Sequence, residues 1–220
     1  MKEQILAELA RLYPEAKPEL HFSNPYEMLI ATMLSAQCTD RQVNKVTPLL
    51  FERFPDAFAM AKLTAEELHP YIASCGFKSK AVNITAACRI LVEKYGGQVP
   101  RTMEELTALP GVGRKTANVV MANAFGIPTL AVDTHVFRVS NRLGLAHAKD
   151  VLQTEKQLME AIPQEKWIEA HHWLIYHGRR VCDARKPACD RCTLAPWCEY
   201  YAQKAQAALP SSPLEDAALG

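Results

Sequence analysis

Residues 103–126, MEELTALPGVGRKTANVVMANAFG, break a helical apolar pattern with one proline and two glycines and then resume it at once. Pro110 cannot carry the first helix onward, so the segment reads as helix, tight turn, helix. Gly111 and Gly113 permit positive φ and let another backbone approach closely. The first N–H groups of the second helix have no acceptor within it and sit at the positive end of its dipole. They can therefore hold a phosphate oxygen without any side-chain charge. Such a grip follows a nucleic-acid backbone and reads no bases. The plainer alternative is a helix–helix turn followed by a solvated Arg114 and Lys115.

The rest of the chain is helical as well. Ile5, Leu6, Leu9 and Leu12 recur at helical spacing in the first segment. Asn24-Pro25 is an N-cap followed by proline at the first helical position. A helix follows Thr39-Asp40, with Pro48 expected to kink or divide it. Thr64-x-x-Glu67 and Thr102-x-x-Glu105 fit the capping box, and residues 79–97 read as one long helix ending in a glycine pair. After Asp133 come THVFRVSNRLG, VLQTEKQLMEAIP and KWIEAHHWLIYHGRR, again helical. No segment reads as a strand, so the fold class is all-α. A bundle-like unit over 19–127 is expected, with a second helical unit after it. The amphipathic N-terminal helix could pack on either, and residues 205–220 are expected to be a disordered tail.

No stretch is apolar for the eighteen or so residues a membrane span needs. The N-terminus carries acids among its apolar residues and does not read as a signal peptide, so a cytoplasmic protein is expected. The formal net charge of +1 decides nothing about nucleic acid; local clustering does. Arg179, Arg180, Arg185, Lys186 and Arg191 face only Asp183 and Asp190 in their segment, and Arg114, Lys115, Arg138 and Arg142 face only Asp133 in theirs.

Of seven cysteines, Cys38, Cys75 and Cys88 lie singly in helical patterns and read as small buried hydrophobes. The other four, Cys182, Cys189, Cys192 and Cys198, crowd into CDARKPACDRCTLAPWC. A reducing compartment argues against disulfides. Zinc sites commonly use two tight Cys pairs, whereas here one short pair is flanked by wider loops. That spacing favours an iron–sulfur cubane, with zinc as the alternative. Tying this loop would present Arg185 and Lys186 to a phosphate backbone.

Asp133 in AVDTHVFRVSNRLG is a good N-cap, and a cap alone would explain it. Its interest comes from Lys115, since each residue begins a helix in the same half of the chain. His171, His172 and His177 lack any HExxH or carboxylate pattern and read as core or surface residues; His135 is a weaker site candidate.

In order and spacing, LPGVGRKTANVV, VDTH and C-x6-C-x2-C-x5-C resemble the helix-hairpin-helix DNA glycosylases, specifically the endonuclease III family of glycosylase/AP lyases acting on oxidised pyrimidines. LSAQCTD at 34–40 is similar to that family's LSAQ-x-TD segment, and the resemblance spans about residues 20–200. It implies a six-helix barrel domain (19–127) and a 4Fe–4S cluster domain (1–18 with 128–204). It implies a monomer that flips a damaged nucleotide of duplex DNA, or an abasic site, into the cleft between them. Lys115 falls on the Schiff-base lysine, Asp133 on the catalytic aspartate, and Gln37 on the residue that fills the gap left by the flipped base. Phe77 is the candidate wedge, although GFKSKA is one residue shorter than the family's loop. Leu109, Gly111, Gly113, Arg114, Thr116, His135, Arg138, Arg185 and Lys186 complete the expected DNA-binding set. A mismatch glycosylase of the same fold is the alternative, disfavoured by Lys115 and by the chain's end soon after the cysteines. A non-catalytic iron–sulfur DNA-binding protein is another, for which neither Lys115 nor Asp133 is needed.

The chemistry sets a demand. An ordinary lysine, with a pKa near ~10.4, is neutral in only about one molecule per thousand near pH 7.4. Half-neutralising such an amine takes about 4 kcal/mol, and a helix N-terminus typically offers about 0.3–1 kcal/mol. Desolvation in a closed cleft is expected to supply the larger share, with Arg114 helping by like-charge repulsion. An ionised Asp133 against the amine would oppose this. Asp133 is therefore expected to stabilise charge on the sugar or shuttle protons, away from the resting amine.

Overall fold

The computed structural model describes residues 1–207, and among them every regular element is helical. The α-helices are α1 (Lys2–Leu12), α2 (Pro25–Ser35), α3 (Asp40–Arg53), α4 (Ala57–Ala61), α5 (Ala65–Ile72), α6 (Ser79–Tyr95), α7 (Met103–Thr107), α8 (Arg114–Phe125), α9 (Thr134–Leu143), α10 (Val151–Ala161), α11 (Trp167–Arg180) and α12 (Glu199–Ala207). No helix among the described residues is long and apolar enough to cross a membrane.

Local chemistry sets most helix starts. Asn24, Thr39, Asp56, Thr64, Thr102, Asp133 and Asp150 each accept a bond from the backbone N–H three residues on. Each such cap contributes about 1 kcal/mol. Thr64 and Glu67 make the reciprocal box. At Thr102 the Glu105 carboxylate accepts from the Thr102 hydroxyl instead, at 2.7 Å. Pro48 neither divides nor ends α3, which runs through it to Arg53.

Two hydrophobic cores organise the chain. The first is drawn from residues 20–120 and centres on α2, whose residues from Met28 to Leu34 are all buried. A helix apolar on every side must be enclosed. Helices α3, α6 and α8 pack against it. The second core combines Ile5, Leu6, Leu9 and Tyr13 with residues 130–194. Helix α1 thus packs on α11, which settles where its apolar face goes. Helices α9 and α11 meet closely because residue 178 is glycine: a Cβ there would stand 3.0 Å from His135 and 3.1 Å from Val139. Residues 205–207 of the expected tail belong to α12, and the remainder of that tail lies outside the described residues.

Candidate functional site

The turn before α8 is built as its sequence requires at one glycine and differently at the other. Gly111 has φ +75°, and a Cβ on it would meet the Asn83 side chain at 2.8 Å, so glycine is needed there twice over. Gly113, in contrast, is extended (φ −93°, ψ 176°), with open space where a Cβ would go. It needs no positive φ, and the missing side chain leaves the start of α8 open. The turn's own amide at Val112 is already bonded to Leu109 O. The first helical bond of α8 runs from Ala117 N–H to Gly113 O, which leaves the N–H groups of Arg114, Lys115 and Thr116 without intrahelical acceptors. Gly113 has no side chain to cap them.

Lys115 is exposed and lines a cleft of about 560 Å³ between the two cores. Asp133 lines the same cleft from the start of α9, its Oδ1 accepting the Val136 N–H at 2.8 Å. Among the described residues no ion pair joins Lys115 to Asp133. Arg114 does not press its charge on Lys115 as expected. Its Nε and Nη2 donate to both oxygens of Glu155 at 2.9 and 2.6 Å, and the Glu155 side chain is only 5% exposed. That carboxylate offsets the guanidinium and fastens α8 to α10. With Lys115 exposed in the free protein, the desolvation an attacking amine requires comes only when a ligand covers it.

Beneath these two groups lie His171 and His172, read from the sequence as core or surface residues. Both are buried and both line the cleft. His171 Nδ1 donates to Ala131 O at 2.7 Å, and His172 Nε2 donates to Asn123 Oδ1 at 3.0 Å. Burial pushes both imidazoles down, His172 to about 3 with a further contribution from His171. Two neutral rings therefore form a polar floor. Nothing in the linear pattern separates them from ordinary core histidines.

The remaining candidates divide by exposure. Gln37 is exposed at φ +56°, a left-handed conformation for a residue with a side chain. Phe77 is 74% exposed after Gly76 at φ +124°. Lys80, unremarked in the sequence, braces both loops: its Nζ donates to Leu34 O at 2.7 Å and to Cys75 O at 2.5 Å. Arg185 and Lys186 are exposed, their amides held by Asp183 Oδ1 at 2.9 and 3.0 Å. Thr116 is partly buried. Leu109, at 2% exposure, belongs to the first core, so its side chain anchors the hairpin and cannot reach a ligand. Arg138 spends its guanidinium on Cys182 O at 3.1 Å, Gly178 O at 3.0 Å and His135 Nδ1 at 3.2 Å, tying α9 to the end of α11. Arg179 is likewise not a free cation; it pairs with Glu19 at 2.5 Å and Asp40 at 3.2 Å on the cleft rim.

Cys182, Cys189, Cys192 and Cys198 line a single small pocket with Leu143, Ala188 and Tyr201. Arg142 Nη1 donates to Cys182 Sγ at 3.4 Å. Among the described residues no three His, Cys, Asp or Glu side chains converge tightly enough for one ion. The sulfurs surround a space instead. Four soft donors around one space, with a cation at the edge, fit a multi-iron cluster as a donor set. Of the other cysteines, Cys75 and Cys88 are buried as expected. Cys38 is only partly buried and lines the cleft.

Residues 30–164 match the family described as HhH-GPD superfamily base excision DNA repair protein. The endonuclease III of Synechocystis sp. is 54% identical over 197 residues, covering 89% of this chain and 90% of that protein. The endonuclease III of Escherichia coli K12 is 50% identical over 198 residues, covering 90% and 94%. A solved endonuclease III, trapped with DNA as a covalent intermediate in an estranged-adenine complex, superposes with a TM-score of 0.87 at 48% identity. It covers 93% of this chain, which covers 99% of it.

Proposed function

Because the chain belongs to the HhH-GPD superfamily of base excision DNA repair proteins, as a DNA glycosylase and abasic-site lyase of the endonuclease III type, we propose that Lys115 forms its Schiff base and that oxidised pyrimidines are its substrates. The observation that carries this is the meeting of Lys115 and Asp133, each at a helix start, in one cleft below the open amides of α8.

The duplex backbone lies across Gly111–Thr116, a phosphate taking the free N–H groups. Arg185 and Lys186 add charge nearby, and Gln37 and Phe77 enter the stack to hold the extruded nucleotide out of it, which costs a few kcal/mol and least for a damaged base. The nucleotide enters the cleft and covers Lys115. The neutral Nζ attacks the sugar C1′, and the base departs with the electron pair of the glycosidic bond. The new C1′–N amine loses a proton, and its nitrogen lone pair then breaks the C1′–O4′ bond, O4′ taking up a proton, so that the opened sugar is held as the protonated imine. A base then takes the acidified C2′ proton, and the electrons expel the 3′ phosphate, nicking the strand. The ionised Asp133 stabilises positive charge developing on the sugar and relays protons. The neutral floor of His171 and His172 offers hydrogen bonding to a polar oxidised ring without adding a cation next to Lys115.

For the cysteine pocket we assign Cys182, Cys189, Cys192 and Cys198 to a 4Fe–4S cluster, which supplies a rigid tie for the loop carrying Arg185 and Lys186. The enzyme acts as a cytoplasmic monomer in this reading, with residues 19–127 as the barrel unit and 1–18 with 128–204 as the cluster unit.

The test is borohydride reduction of cluster-loaded protein with duplexes bearing an abasic site or one of several oxidised pyrimidines. A covalent adduct is expected from each and none from Lys115→Ala, whose lyase rate drops by about 10³-fold or more. No adduct from the folded wild type sinks the Schiff-base assignment. Adducts with abasic DNA alone sink the substrate assignment.

A further inference from the structure

Two thiols outside the four-cysteine pocket lie together at the cleft. Cys38 is partly buried and lines the cavity that holds Lys115. Cys75 is 1% exposed and ends the 3-10 turn Ala73–Cys75. Cys38 packs on the core to which Cys75 belongs, near enough for its thiol to act on that of Cys75. Both flanking segments are fastened. Gln42 Nε2 donates to Ser74 Oγ at 2.9 Å, and Lys80 Nζ binds the carbonyls of Leu34 and Cys75. Burial, and then Cys38, push the Cys75 thiol up to about 11; the partly exposed Cys38 is the thiol that meets an oxidant, and the buried Cys75 is the one that resolves it.

Their neighbours in sequence give the pair its interest. Cys38 directly follows Gln37, and Cys75 stands two residues before Phe77. These are the two side chains assigned above to enter the duplex. We propose that Cys38 and Cys75 are a modification site for peroxides, closing to a disulfide that joins the Gln37 and Phe77 loops and slows the enzyme. The loss of rate rests on the reading of those loops as DNA-entering; formation of the bond does not.

The chemistry balances with hydrogen peroxide as oxidant. The Cys38 sulfur attacks one peroxide oxygen, becoming a sulfenic acid and releasing water. The Cys75 sulfur then attacks the sulfenic sulfur, the S–S bond forms, and the hydroxyl leaves as a second water. Two thiols lose two electrons and two protons, and the peroxide is reduced to water. An S–S bond of about 2.05 Å is far shorter than any contact between thiols, so closure draws the two segments together by on the order of 1 Å. A misplacement of that size at a reacting geometry can cost about 10²-fold in rate.

The experiment treats cluster-loaded protein with graded hydrogen peroxide, maps disulfides by mass spectrometry without reduction, and follows base excision and cluster absorbance together. The expected result is a Cys38–Cys75 peptide pair, a rate at least about tenfold lower while the cluster absorbance holds, and recovery with dithiothreitol. Cys38→Ala and Cys75→Ala, each compared with its own untreated rate, should lose the sensitivity. The partly exposed Cys38 keeps the test usable if the buried substitution fails to fold. Absence of the bridged peptides overturns the site. A bridge with an unchanged rate overturns its effect on the enzyme, as does an equal peroxide loss in Cys38→Ala. Borohydride trapping of the reduced protein separates these outcomes from failure of the Schiff-base reading, since it needs neither thiol.

Discussion

The starts of α8 and α9 face the same cleft and are built in opposite ways. At α9 the chain closes its first turn itself: Asp133 Oδ1 takes the Val136 N–H, and the carboxylate's other oxygen is left for the cavity. At α8 the capping position is Gly113, which has no side chain, and three amides stay open beside it. Six further α-helix starts carry an Asn, Asp or Thr cap as α9 does, so a capped start is the commoner habit of this chain. The difference teaches that one start is finished and offers a charged group. The other is left unfinished, with three amides open to an outside acceptor.

The largest expected effect that tests this contrast is at α9. Asparagine caps as well as aspartate, so Asp133→Asn should leave thermal stability within about 0.5 kcal/mol of wild type. Excision should nevertheless drop by about 10²-fold or more, because the charge is gone. Wild-type rates on both damaged and abasic duplexes would reduce Asp133 to a cap.

The floor beneath both starts responds to acid. His172 is held down to about 3, below its ordinary value near 6.5, so the unfolded chain binds the extra proton first. Stability is then complete above about pH 6.5 and decreases as pH falls toward 3, by up to about 1.4 kcal/mol per pH unit from this residue. Denaturant melts from pH 7 to 4 should show a shallower acid slope in His172→Gln, which keeps a donor for Asn123. An unchanged slope would mean that His172 takes up its proton in the folded state.

A smaller effect is expected where α8 is fastened. Glu155→Gln leaves a partly exposed Arg114 without its carboxylate and should lower stability by about 1–3 kcal/mol in equilibrium unfolding. The smallest effect on stability, and the most direct probe of the bare start, is Gly113→Ser. The space for the new side chain is open. Its hydroxyl should cap α8 and raise stability by a few tenths of a kcal/mol. Affinity for an abasic duplex should weaken several-fold, since the hydroxyl takes an amide from the phosphate. Tighter or equal binding at fixed salt would show that those amides do not grip DNA.

Much of the architecture is legible because its signals are short. Thr39, Thr64 and Asp133 bond to amides three residues ahead, so the sequence alone places those helix starts. The Gly111 turn and the Lys115 position follow from the same local grammar. Short-range rules misjudge cases in which packing intervenes. Pro48 stays inside α3 because the surrounding core keeps the helix intact. Leu109 belongs to the motif expected to face DNA, yet its own side chain points into the core.

What the sequence determined by itself is the helical class, the hairpin and its uncapped glycine, the pairing of a lysine and an aspartate at two helix starts, and the four-cysteine spacing. All of these are relations within a few residues, where backbone geometry leaves little choice. Only the tertiary structure decided that Arg114 is answered by Glu155, that His171 and His172 floor the cleft, that Arg138 and Arg179 are committed to internal partners, and that Cys38 packs on the core holding Cys75. Those meetings span tens of residues. They exist because two apolar cores force distant segments together, and no local pattern records which polar groups will then face each other.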